Sequence, residues 1–498
     1  MLVTYRAAIP KTRTSYCINS LATVEPYCFN NSIATTTVAV TERMFLTLQV
    51  DGFKAPPRPS SSAFFNDTLA NFATRMDAHS ILLEPCSYQT FINHFDSSRR
   101  KAYQRAYDSY AGNFPPIGQL SKVKIFTKFE KNFKPEATPR CINPRDIGFR
   151  IVHGAFSFPM DSPILHATSK ASSKSGLRVV MKGLNQRDRG ILLAKKWKRF
   201  KDPVCVLKDA HRMDQHVSIE ALKYTHERYL KYYRGPARQS LAHILDRMLV
   251  NKFSAHCRDG SLRGVIHGGR MSGDNDTGTG NIILMVAMDT EYADHKGIPD
   301  YEIFNDGDDS GIIFEQEYLQ QYLTDLPQWF LALGFSMEVE KPVFVLEEIS
   351  FCQSQPVYDG DSYLMVRDPR KAIAKDAVSI TPLRNEAEYN NWIRSVGVGG
   401  MTIAGQIPIW QEFYLAMSRA APNARINPRL FDYGMKMKIA NMRREYGPIA
   451  ASTRHSFYLA FGIEPAKQEL AETILRNLDL TYECNQLSNA LSLLRHLF

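Results

Sequence analysis

The sequence has few of the features that mark proteins which are secreted, span membranes or are built around structural metals. Its eight cysteines are scattered without a Cys-x-x-Cys pair, so neither a zinc site nor a disulfide framework is indicated, and a reducing compartment fits best. The longest apolar runs, such as IILMVAM at 282–288, fall short of the roughly 18 residues of a membrane span. The N-terminus lacks the basic start and following apolar block that are typical of a signal peptide. We therefore expect no transmembrane segment, and the C-terminal NALSLLRHLF (489–498) is expected to pack against the body.

Negative charge is also in deficit. Lys and Arg total 61 against 51 Asp and Glu, which leaves a formal net charge of +10. This balance favours a polyanionic partner or substrate, although many basic proteins bind nothing anionic. A length of 498 residues calls for several packed units, and 44% apolar with 22% charged residues is typical of a globular protein.

The pattern of apolar residues indicates strands and helices in mixed order. The Pro- and Ser-rich KAPPRPSSS (54–62) predicts an extended linker. Short strand patterns occur in VKIF (123–126) and PVCVL (203–207), whereas IEALKYTHERYLKYY (219–233) has helical spacing. Beyond about residue 365 the sequence is mainly helical, with Gly and Pro breaks. Strands, hairpins and long helices mixed in this way predict an α+β fold.

A turn with three acids separates two buried strand patterns in FNDGDDSGII (304–313). YEIF before it and GIIF after it predict a hairpin with the acids at its tip. Asp308 and Asp309 would repel by roughly 4 kcal/mol at about 4 Å and an effective dielectric of about 20. A raised pKa or a bound hard cation would relieve this repulsion. An exposed turn rich in Asp and Gly is the simpler interpretation of this segment taken alone.

Two further acids lie upstream, in VLKDAHRMDQHVS (206–218). Asp209 is at a predicted strand end, and Asp214 is where the next helix begins. A strand-end Asp that meets a hairpin-tip Asp can hold two Mg²⁺ ions about 3.5–4 Å apart, an arrangement used for in-line phosphoryl transfer. Helix capping is the structural alternative for either acid taken separately. His211 and His216 flank Asp214, but two His without a third ligand at a suitable spacing do not predict zinc.

Between these acids lies a glycine-rich loop, GGRMSGDNDTGTGNIILM (268–285). Ser272, Thr277 and Asn281 are small hydrogen-bonding residues, spaced so that a loop followed by a helix can present them to one ligand. The glycines among them permit a close approach of the backbone. The spacing and closing Glu of an EF-hand are missing, and no Walker A GxxxxGK[ST] occurs, so both of these sites are excluded.

A basic run precedes these segments, and Phe and Pro interrupt it. Its members are Lys122, Lys124, Lys128, Lys131, Arg140 and Arg145. A solvated charged face is the usual meaning of such a run. In a polymerising enzyme the same residues would line a channel for an incoming triphosphate, with Arg holding phosphate oxygens. Composition does not decide between the two interpretations.

The order of these segments resembles that of motifs F, A, B and C in the RNA-dependent RNA polymerases of positive-strand RNA viruses. A basic segment, D-x4-D, SG-x3-T-x3-N and GDD follow one another along the chain. More closely, the chain is similar to the replicases of the tombusvirus family, including umbraviruses and their relatives. The similarity extends from roughly Phe91 to about Gln468. It is carried by six further segments: VVMKGLNQRDRG, DQHVSIEAL, RMSGD, FCQSQPV, GQIPIWQEFY and SFYLAFGIEP.

The resemblance implies roles for individual residues. Two Mg²⁺ ions, with Mn²⁺ as a replacement, would be held by the catalytic acids Asp209, Asp308 and Asp309. Recognition of the ribose and of the incoming NTP is implied for four polar residues: Asp214, Ser272, Thr277 and Asn281.

Triphosphate binding is implied for Lys128, Arg140 and Arg145 of motif F. Lys341 in MEVEKPV is the nearest position for the general acid that protonates pyrophosphate. The segment that supports the primer end, motif E, contains Phe351, Cys352 and Gln353.

The same resemblance implies the fold of a cupped right hand. The chain would divide into an N-terminal extension of uncertain role (1–85), fingers (86–200), a palm with an inserted fingers segment (201–350), and motif E with a helical thumb (351–498). The implied reaction adds ribonucleoside monophosphates from NTPs to an RNA 3′ end under the direction of a template, which replicates a positive-strand viral genome. The implied partners are template and nascent RNA and other viral or host replication proteins. Those proteins would localise the chain to a membrane-associated complex in the host cytoplasm.

Some positions depart from the pattern of this family. The usual LDASRFDQH is LKDAHRMDQH here, with His211 and Met213 in place of Ser and Phe. Around the acid turn, Asp306 and Ser310 replace residues that are commonly Asn or Cys. None of these departures removes a metal ligand. The third acid of the turn, Asp306, has no role in this interpretation: it would lie beside the metals or face solvent.

Two alternative functions stay open. A reverse transcriptase would use the same palm chemistry, but the polar Asp214 and Asn281 favour ribonucleotides, and incorporation of NTP against dNTP would separate the two enzymes. A non-catalytic RNA-binding replication protein that kept the fold would bind RNA and make no product with Mg²⁺ or Mn²⁺.

Overall fold

The protein combines mostly antiparallel sheets with a larger number of helices, as a computed structural model shows. It describes residues 1–18, 26–49, 52–111, 113–134, 136–427, 442 and 444–487. The strands are β1 (Leu2–Tyr5), β2 (Tyr16–Cys17), β3 (Thr47–Gln49), β4 (Gly52–Lys54), β5 (Val123–Thr127), β6 (Cys141–Ile142), β7 (Pro203–Ala210), β8 (Val250–Cys257), β9 (Gly260–His267), β10 (Tyr301–Asp306), β11 (Asp309–Glu315), β12 (Met337–Val339), β13 (Gln355–Tyr358), β14 (Tyr363–Val366) and β15 (Val378–Ser379).

The helices outnumber the strands and are longest in the centre and in the C-terminal third. They are α1 (Ile33–Val40), α2 (Ser62–Thr68), α3 (Ala70–Asp77), α4 (Tyr88–Asn93), α5 (Ser97–Ser109), α6 (Ile117–Leu120), α7 (Ile147–Ser172), α8 (Gln186–Trp197), α9 (Met213–His216), α10 (Ile219–Leu230), α11 (Gly235–Asp246), α12 (Thr277–His295), α13 (Leu319–Leu323), α14 (Leu326–Ala332), α15 (Pro369–Asp376), α16 (Glu386–Ala404), α17 (Trp410–Arg419), α18 (Ala451–Phe461), α19 (Pro465–Arg476) and α20 (Tyr482–Leu487). A π-helical turn, Thr41–Phe45, continues α1.

A four-stranded antiparallel sheet in the order β10-β11-β7-β12 forms the centre of the molecule. Strands β7, β10 and β11 are apolar on both faces because both faces are covered there. Val206 and Ile312 belong to the core that contains α7 and α12, whereas Leu207 and Ile313 belong to a second core with α8. The continuous apolar patterns PVCVL, YEIF and GIIF are therefore strands buried on both sides, and the predicted hairpin is confirmed.

A second sheet has five strands in the order β1-β9-β8-β5-β6. Residues 250–267 fall between β7 and β10 in the sequence, yet they form the β8–β9 hairpin of this second sheet. β8 pairs in parallel with β5, the predicted VKIF strand, and β1 adds an edge strand from the N-terminal segment. Residues 1–85, for which the sequence indicates no role, thus contribute to a sheet shared with the basic run.

The helix α7 passes through the largest core. It has 26 residues, and Pro159 and Pro163 lie inside it, which would break most exposed helices. Its apolar residues point in several directions around its axis, as expected for a helix surrounded by protein. It packs against α3, α4 and α12, so the helix that follows the glycine-rich loop rests on a buried support.

In its described part the chain beyond residue 365 is mainly helical, as predicted, and has its own core around Trp410 and Phe413. The KAPPRPSSS segment is extended up to the start of α2, which also agrees with the prediction. The C-terminal segment 489–498, expected to pack against the body, lies outside the described residues. In the parts of the chain that the structure describes, no helix is both long and apolar enough to cross a bilayer.

Candidate active site

The acids of the FNDGDDSGII segment lie where three strands meet. In the β10–β11 hairpin Asp306 pairs with Asp309, and residues 307 and 308 form the two-residue loop. β11 also pairs with β7, so that Asp309 lies directly opposite Asp209. Opposed residues of antiparallel strands have Cα atoms about 4.5–5.5 Å apart. The structure therefore brings the strand-end acid and the hairpin-tip acids together, as the sequence predicts.

A buried side chain holds the tip of this hairpin. Asn305 accepts a hydrogen bond from the backbone N of Gly307 (3.1 Å) and donates through Nδ2 to the carbonyl oxygens of Gly307 and Asp309 (3.0 Å each). Gly307 has a φ of +92°, which a residue with a side chain adopts only at a steric cost. Type II′ hairpin turns require glycine at this first loop position. Local contacts therefore fix the backbone that carries Asp308.

The crowding of carboxylates changes their acidity. Burial and, after it, the charges of the nearby Asp308 and Asp309 together raise the pKa of Asp209 to about 6. The pKa of Asp309 is also raised, first by burial and then by the charge of Asp308. Asp308 itself is exposed. The site thus stabilises neutral over ionised carboxyl groups until a cation compensates their charge.

The oxygen donors present fit a hard divalent cation. Carboxylates are the ligands that Mg²⁺ prefers, and Mg²⁺ commonly uses only one or two of them together with substrate phosphates and water. Within the described ranges, no three His, Cys, Asp or Glu side chains are close enough to complete a metal site unaided. Asp209, Asp308 and Asp309 therefore fit ions that bind together with a phosphorylated substrate.

Asp306, the third acid of the turn, is neutralised by an arginine. Its Oδ2 lies 2.5 Å from Nη2 of Arg189, and Sγ of Cys352 lies 3.9 Å from the same oxygen. Arg189 is on α8, which follows a segment that pairs with β10 at Asn305. The sequence did not indicate this ion pair, although Arg189 belongs to the VVMKGLNQRDRG segment that carries the resemblance.

A cavity of about 400 Å³ opens beside the acids. Seven of the residues predicted from the sequence line it: Lys128, Arg140, Asp214, Ser272, Thr277, Asn281 and Asp308. They come from four separate segments of the chain, the basic run, the turn after β7, the glycine-rich loop and the hairpin tip. The cavity therefore has an acidic end at the hairpin and a basic wall at the basic run.

The predicted partners Asp214 and Asn281 touch in this cavity. Asn281 donates from Nδ2 to Oδ1 of Asp214 at 2.8 Å. Burial raises the pKa of Asp214 to about 6, and the hydrogen bond from Asn281 opposes that rise. Asn281 lies in the second turn of α12, and Asp214 lies in the first turn of α9. The pair presents polar oxygen and nitrogen atoms to a ligand between the two helices.

Two hydroxyl groups of the glycine-rich loop are partly engaged. The backbone N of Asn143 donates to Oγ of Ser272 at 3.2 Å. Thr277 donates from Oγ1 to the carbonyl oxygens of Met271 (2.8 Å) and Asp274 (3.0 Å). Both side chains line the cavity, but that of Thr277 also shapes the loop.

The basic wall shares one carboxylate. Arg140 donates to both oxygens of Glu130, from Nε at 2.7 Å and from Nη2, and Nζ of Lys128 lies 3.2 Å from Glu130. Sequence reasoning missed three further cations that line the cavity, Arg43, Arg212 and Arg270, of which Arg270 is buried and paired with Asp276. Arg43 comes from the π-helical turn, 79 residues before the first lysine of the basic run, and no local pattern connects the two.

Arg145 does not belong to this wall, contrary to the triphosphate-binding role implied by the sequence. Its side chain is 1% exposed, and it forms two hydrogen bonds to Asp274, at 2.9 and 3.1 Å. The remaining donors bind Oδ1 of Asn251 (2.5 Å) and the carbonyl oxygen of Ser121 (2.7 Å). Because every part of the guanidinium is occupied, Arg145 fastens the glycine-rich loop to the five-stranded sheet.

Lys341 and the motif E residues lie near the acids but outside the cavity. Lys341 is exposed, two residues beyond β12, whose Glu338 pairs with Asp209. Cys352 and Gln353 have φ of 50° and 60° and form a tight turn between Phe351 and Ser354. Two adjacent non-glycine residues in this region carry backbone strain. The turn places Cys352 against the acid hairpin, as its contact with Asp306 shows.

His211 and His216 do not form a metal site with other described residues. Ring nitrogens of His216 contact the carbonyl oxygen of Arg212 and Oγ of Ser336, each at 3.2 Å. His216 is fully buried, and this burial lowers its pKa to about 4. Its role is to join α9 to the strand segment before β12.

A pair of opposed acids lies beside one end of the cavity, where Asp308 lines it, and a cluster of cations lies at the other. This arrangement suits a phosphorylated substrate that binds together with a cation. Comparison with known proteins gives this class a family. The family described as viral RNA dependent RNA polymerase matches residues 1–483, and the chain belongs to it.

Relatives from plant viruses extend this result. The chain is 35% identical over 483 residues to the RNA-directed RNA polymerase of oat chlorotic stunt virus, which covers 92% of this chain and 63% of that protein. It is 35% identical over 448 residues to that of tobacco necrosis virus strain A (89% and 61%) and 33% identical over 477 residues to that of groundnut rosette virus (93% and 54%). The resemblance to tombusvirus-like replicases is confirmed, and the chain spans roughly half to two thirds of the length of these relatives.

Proposed function

We propose that this chain is an RNA-dependent RNA polymerase that replicates the genome of a positive-strand RNA virus by template-directed nucleotidyl transfer. The observation that carries the proposal is the register that sets Asp309 opposite Asp209, next to Asp308, which lines a cavity with a basic wall; Asp209 and Asp309 do not line it themselves. The right-hand fold of the family supports this assignment. The four-stranded sheet would then be the palm, the five-stranded sheet part of the fingers, and the helices after residue 365 the thumb.

The acidic end of the cavity would hold the metal. Asp209, Asp308 and Asp309 would bind two Mg²⁺ ions, or Mn²⁺ in their place, which supply activation of a 3′-hydroxyl and neutralisation of the leaving pyrophosphate. The chain's own contribution is positional. Backbone pairing holds two of these carboxylates on neighbouring strands, and Asn305 fixes the loop that carries the third.

The remaining wall residues would orient the nucleotide. Lys128 and Arg140 would bind the triphosphate, which competes with Glu130 for their hydrogen bonds. The hydrogen-bonded pair Asp214 and Asn281 would contact the ribose 2′-hydroxyl and so favour NTP over dNTP. This pair supports a polymerase of ribonucleotides over a reverse transcriptase, which excludes that hydroxyl.

The other assignments rest on position along the chain. Lys341 follows the strand next to Asp209 and would donate a proton to pyrophosphate. The strained turn at Cys352 and Gln353 would support the primer end from beside the acid hairpin. Template and product RNA would be held by the excess of basic residues through salt-sensitive phosphate contacts. Other viral or host proteins would bring the chain to a membrane-associated replication complex in the host cytoplasm.

An RNA extension assay tests the proposal. Purified chain, a homopolymer RNA template and the matching NTP are combined with Mg²⁺ or Mn²⁺, with and without a primer. The wild type should make RNA, and the double variant Asp308→Ala/Asp309→Ala should make none while it keeps most of its RNA binding. A control double variant, Asp67→Ala/Glu317→Ala, removes two exposed acids elsewhere and should keep wild-type synthesis.

Two results would contradict the polymerase assignment. Wild-type protein that binds RNA but makes no product with either metal would indicate a non-catalytic RNA-binding protein. Equal use of NTP and dNTP on the same template would contradict the ribose contact at Asp214 and Asn281.

A further inference from the structure

The N-terminal segment reaches the cavity through the π-helical turn Thr41–Phe45. The backbone N of Leu46 donates to the carbonyl oxygen of Thr41 at 2.8 Å, which closes this wider turn at the end of α1. Single π-helical turns are rare in proteins and are frequent at functional sites. Arg43 and Met44 of this turn line the cavity, although residues 1–85 have no role that the sequence indicates.

The turn is attached to the segment that carries Asp214. Gln215 is buried and donates from Nε2 to the carbonyl oxygens of Leu46 (2.8 Å) and Glu42 (3.3 Å). Arg212 donates to the same carbonyl of Glu42, and its Nη2 lies 3.5 Å from the Glu42 carboxylate. The position of Arg43 is therefore coupled to the strand-to-helix connection at the acidic end of the site.

Arg43 differs from the other cations of the wall because it has no acidic partner. Lys128 and Arg140 share Glu130, and Arg212 pairs with Glu42. Among the described residues Arg43 forms no ion pair, and its Nη2 makes a long contact of 3.5 Å with the carbonyl oxygen of Thr138.

The surroundings compensate the charge of Arg43 only in part, through Glu130, which forms no ion pair with it. Its Nε is buried without an acceptor. Burial and the nearby Arg212 and Arg140 lower its pKa. Removing a cation from water without a paired counter-charge is unfavourable. An anion that binds beside Arg43 would relieve this cost.

We propose that Arg43 binds the triphosphate of the incoming nucleotide, so that the N-terminal segment builds part of the phosphate subsite together with Arg140 and Lys128. This inference rests on the proposed function and names a residue of the same site. A planar guanidinium suits phosphate oxygens because it can donate two parallel hydrogen bonds. Met44, which belongs to the neighbouring core, anchors the turn and keeps Arg43 facing the cavity.

Steady-state kinetics of the purified chain test this subsite. Arg43→Gln keeps hydrogen-bonding capacity but removes the charge, and it should raise KM for the NTP by about tenfold with a smaller change in kcat. Arg43→Lys keeps the charge but loses the planar guanidinium, so its KM for the NTP should lie between those of the wild type and Arg43→Gln. The matched control is Arg6→Gln, which removes an exposed arginine of the same segment away from the cavity and should leave KM unchanged.

Inhibitors separate the phosphate contact from contacts to base and ribose. Inorganic tripolyphosphate should inhibit Arg43→Gln about tenfold more weakly than the wild type. The nucleoside without phosphates should inhibit both equally. If Arg43→Gln does not fold, the same comparison between Arg43→Lys and the wild type decides, with a severalfold weaker tripolyphosphate inhibition expected.

Three results distinguish the inference from its alternatives. Unchanged KM and unchanged tripolyphosphate inhibition in Arg43→Gln would overturn it. A lower Tm with unchanged KM would also overturn it, since the role of Arg43 would then be structural, through its contact with the carbonyl oxygen of Thr138. If the wild type makes no RNA, the proposed function fails, and direct titration of tripolyphosphate still tests Arg43: weaker binding by Arg43→Gln supports a phosphate site, and equal binding rejects it.

Discussion

The two ends of the cavity are built by different means. At the acidic end, Asp209 and Asp309 lie on neighbouring strands, and backbone hydrogen bonds fix their register. At the basic wall, Lys128 and Arg140 follow or precede short strands, and their side chains are held by sharing Glu130. A backbone register is rigid, whereas shared exposed ion pairs are weak and easily exchanged. The acidic end is therefore preorganised, and the basic wall can exchange Glu130 for a substrate anion.

Buried charge on the reverse face of the sheet reinforces the acidic end. Lys208 and Ser310 are paired in register next to Asp209 and Asp309. Lys208 lies 2.8 Å from Asp289, and both side chains are 0% exposed. Ser310 donates to the same carboxylate. The side chain of Arg140, by contrast, is 51% exposed, and its ion pair is with Glu130 near the surface. Among the described residues it has no buried ion pair of the kind that Lys208 and Asp289 form.

Replacing single acids at the acidic end should have the largest effect on RNA synthesis. It also tests whether paired and unpaired acids there have different roles. Asp209→Asn removes a proposed metal ligand, and RNA synthesis should fall by about a thousandfold or more. Asp306→Asn alters an acid that also lines the cavity but is already neutralised by Arg189, and it should lower synthesis by less than about tenfold because a carboxylate so paired is not expected to bind the metal. The measurement is the initial rate of RNA extension with saturating NTP and Mg²⁺.

RNA binding serves as the control for these two variants, since both should bind RNA as the wild type does. Equal losses in Asp209→Asn and Asp306→Asn would show that all acids of the hairpin act as one electrostatic unit. The distinction between paired and metal-binding acids would then be wrong.

Two arginines of the basic run, Arg140 and Arg145, should differ in their effects on stability and on NTP binding. Arg145→Met leaves Asp274 buried without its partner, and the free energy of unfolding should fall by about 3–5 kcal/mol. Arg140→Gln disrupts an exposed pair and should cost at most about 1 kcal/mol, yet it should raise KM for NTP. Urea denaturation followed by intrinsic fluorescence measures the stability of each variant. A stable Arg145→Met with a raised KM would return Arg145 to the triphosphate site.

The difference between the two ends also explains what the sequence could reveal. Asp209, Asp308 and Asp309 were predictable because strand patterns and a turn signal fix local structure, and antiparallel pairing then brings strand ends together. The fold class followed in the same way from mixed strand and helix patterns. The pairing of Asp214 with Asn281 needed only the order of the motifs.

The cations were less predictable because their roles depend on distant partners. Arg140 and Arg145 are five residues apart in one basic run, yet one lines the cavity and the other is buried against Asp274. Arg43 reaches the cavity from a segment with no recognisable pattern. The neutralisation of Asp306 by Arg189 likewise joins residues more than one hundred positions apart. Side-chain partners at such separations are set by tertiary packing and leave no periodic signal.

A dependence of stability on pH and Mg²⁺ should be the smallest effect and is specific to the acidic end. The pKa of Asp209 is about 6 in the folded chain, raised by burial and by its neighbouring acids, against about 4 for an unfolded Asp. The folded state then binds protons more tightly than the unfolded state. In metal-free protein this carboxyl therefore lowers the free energy of unfolding progressively as pH rises from about 4 to about 6, and no further change follows above that range.

Mg²⁺ should reverse this loss, because it binds the ionised carboxylates and only the folded state assembles them. The increase of Tm on adding Mg²⁺ should therefore be a few degrees at pH 7.5 and close to zero at pH 5. Asp209→Asn should show both a smaller Tm decrease between pH 5 and 7.5 and a smaller Mg²⁺ response, whereas Arg140→Gln should retain both. A Mg²⁺ response that is the same at both pH values, or unchanged in Asp209→Asn, would mean that the ion stabilises the chain somewhere other than at the paired acids.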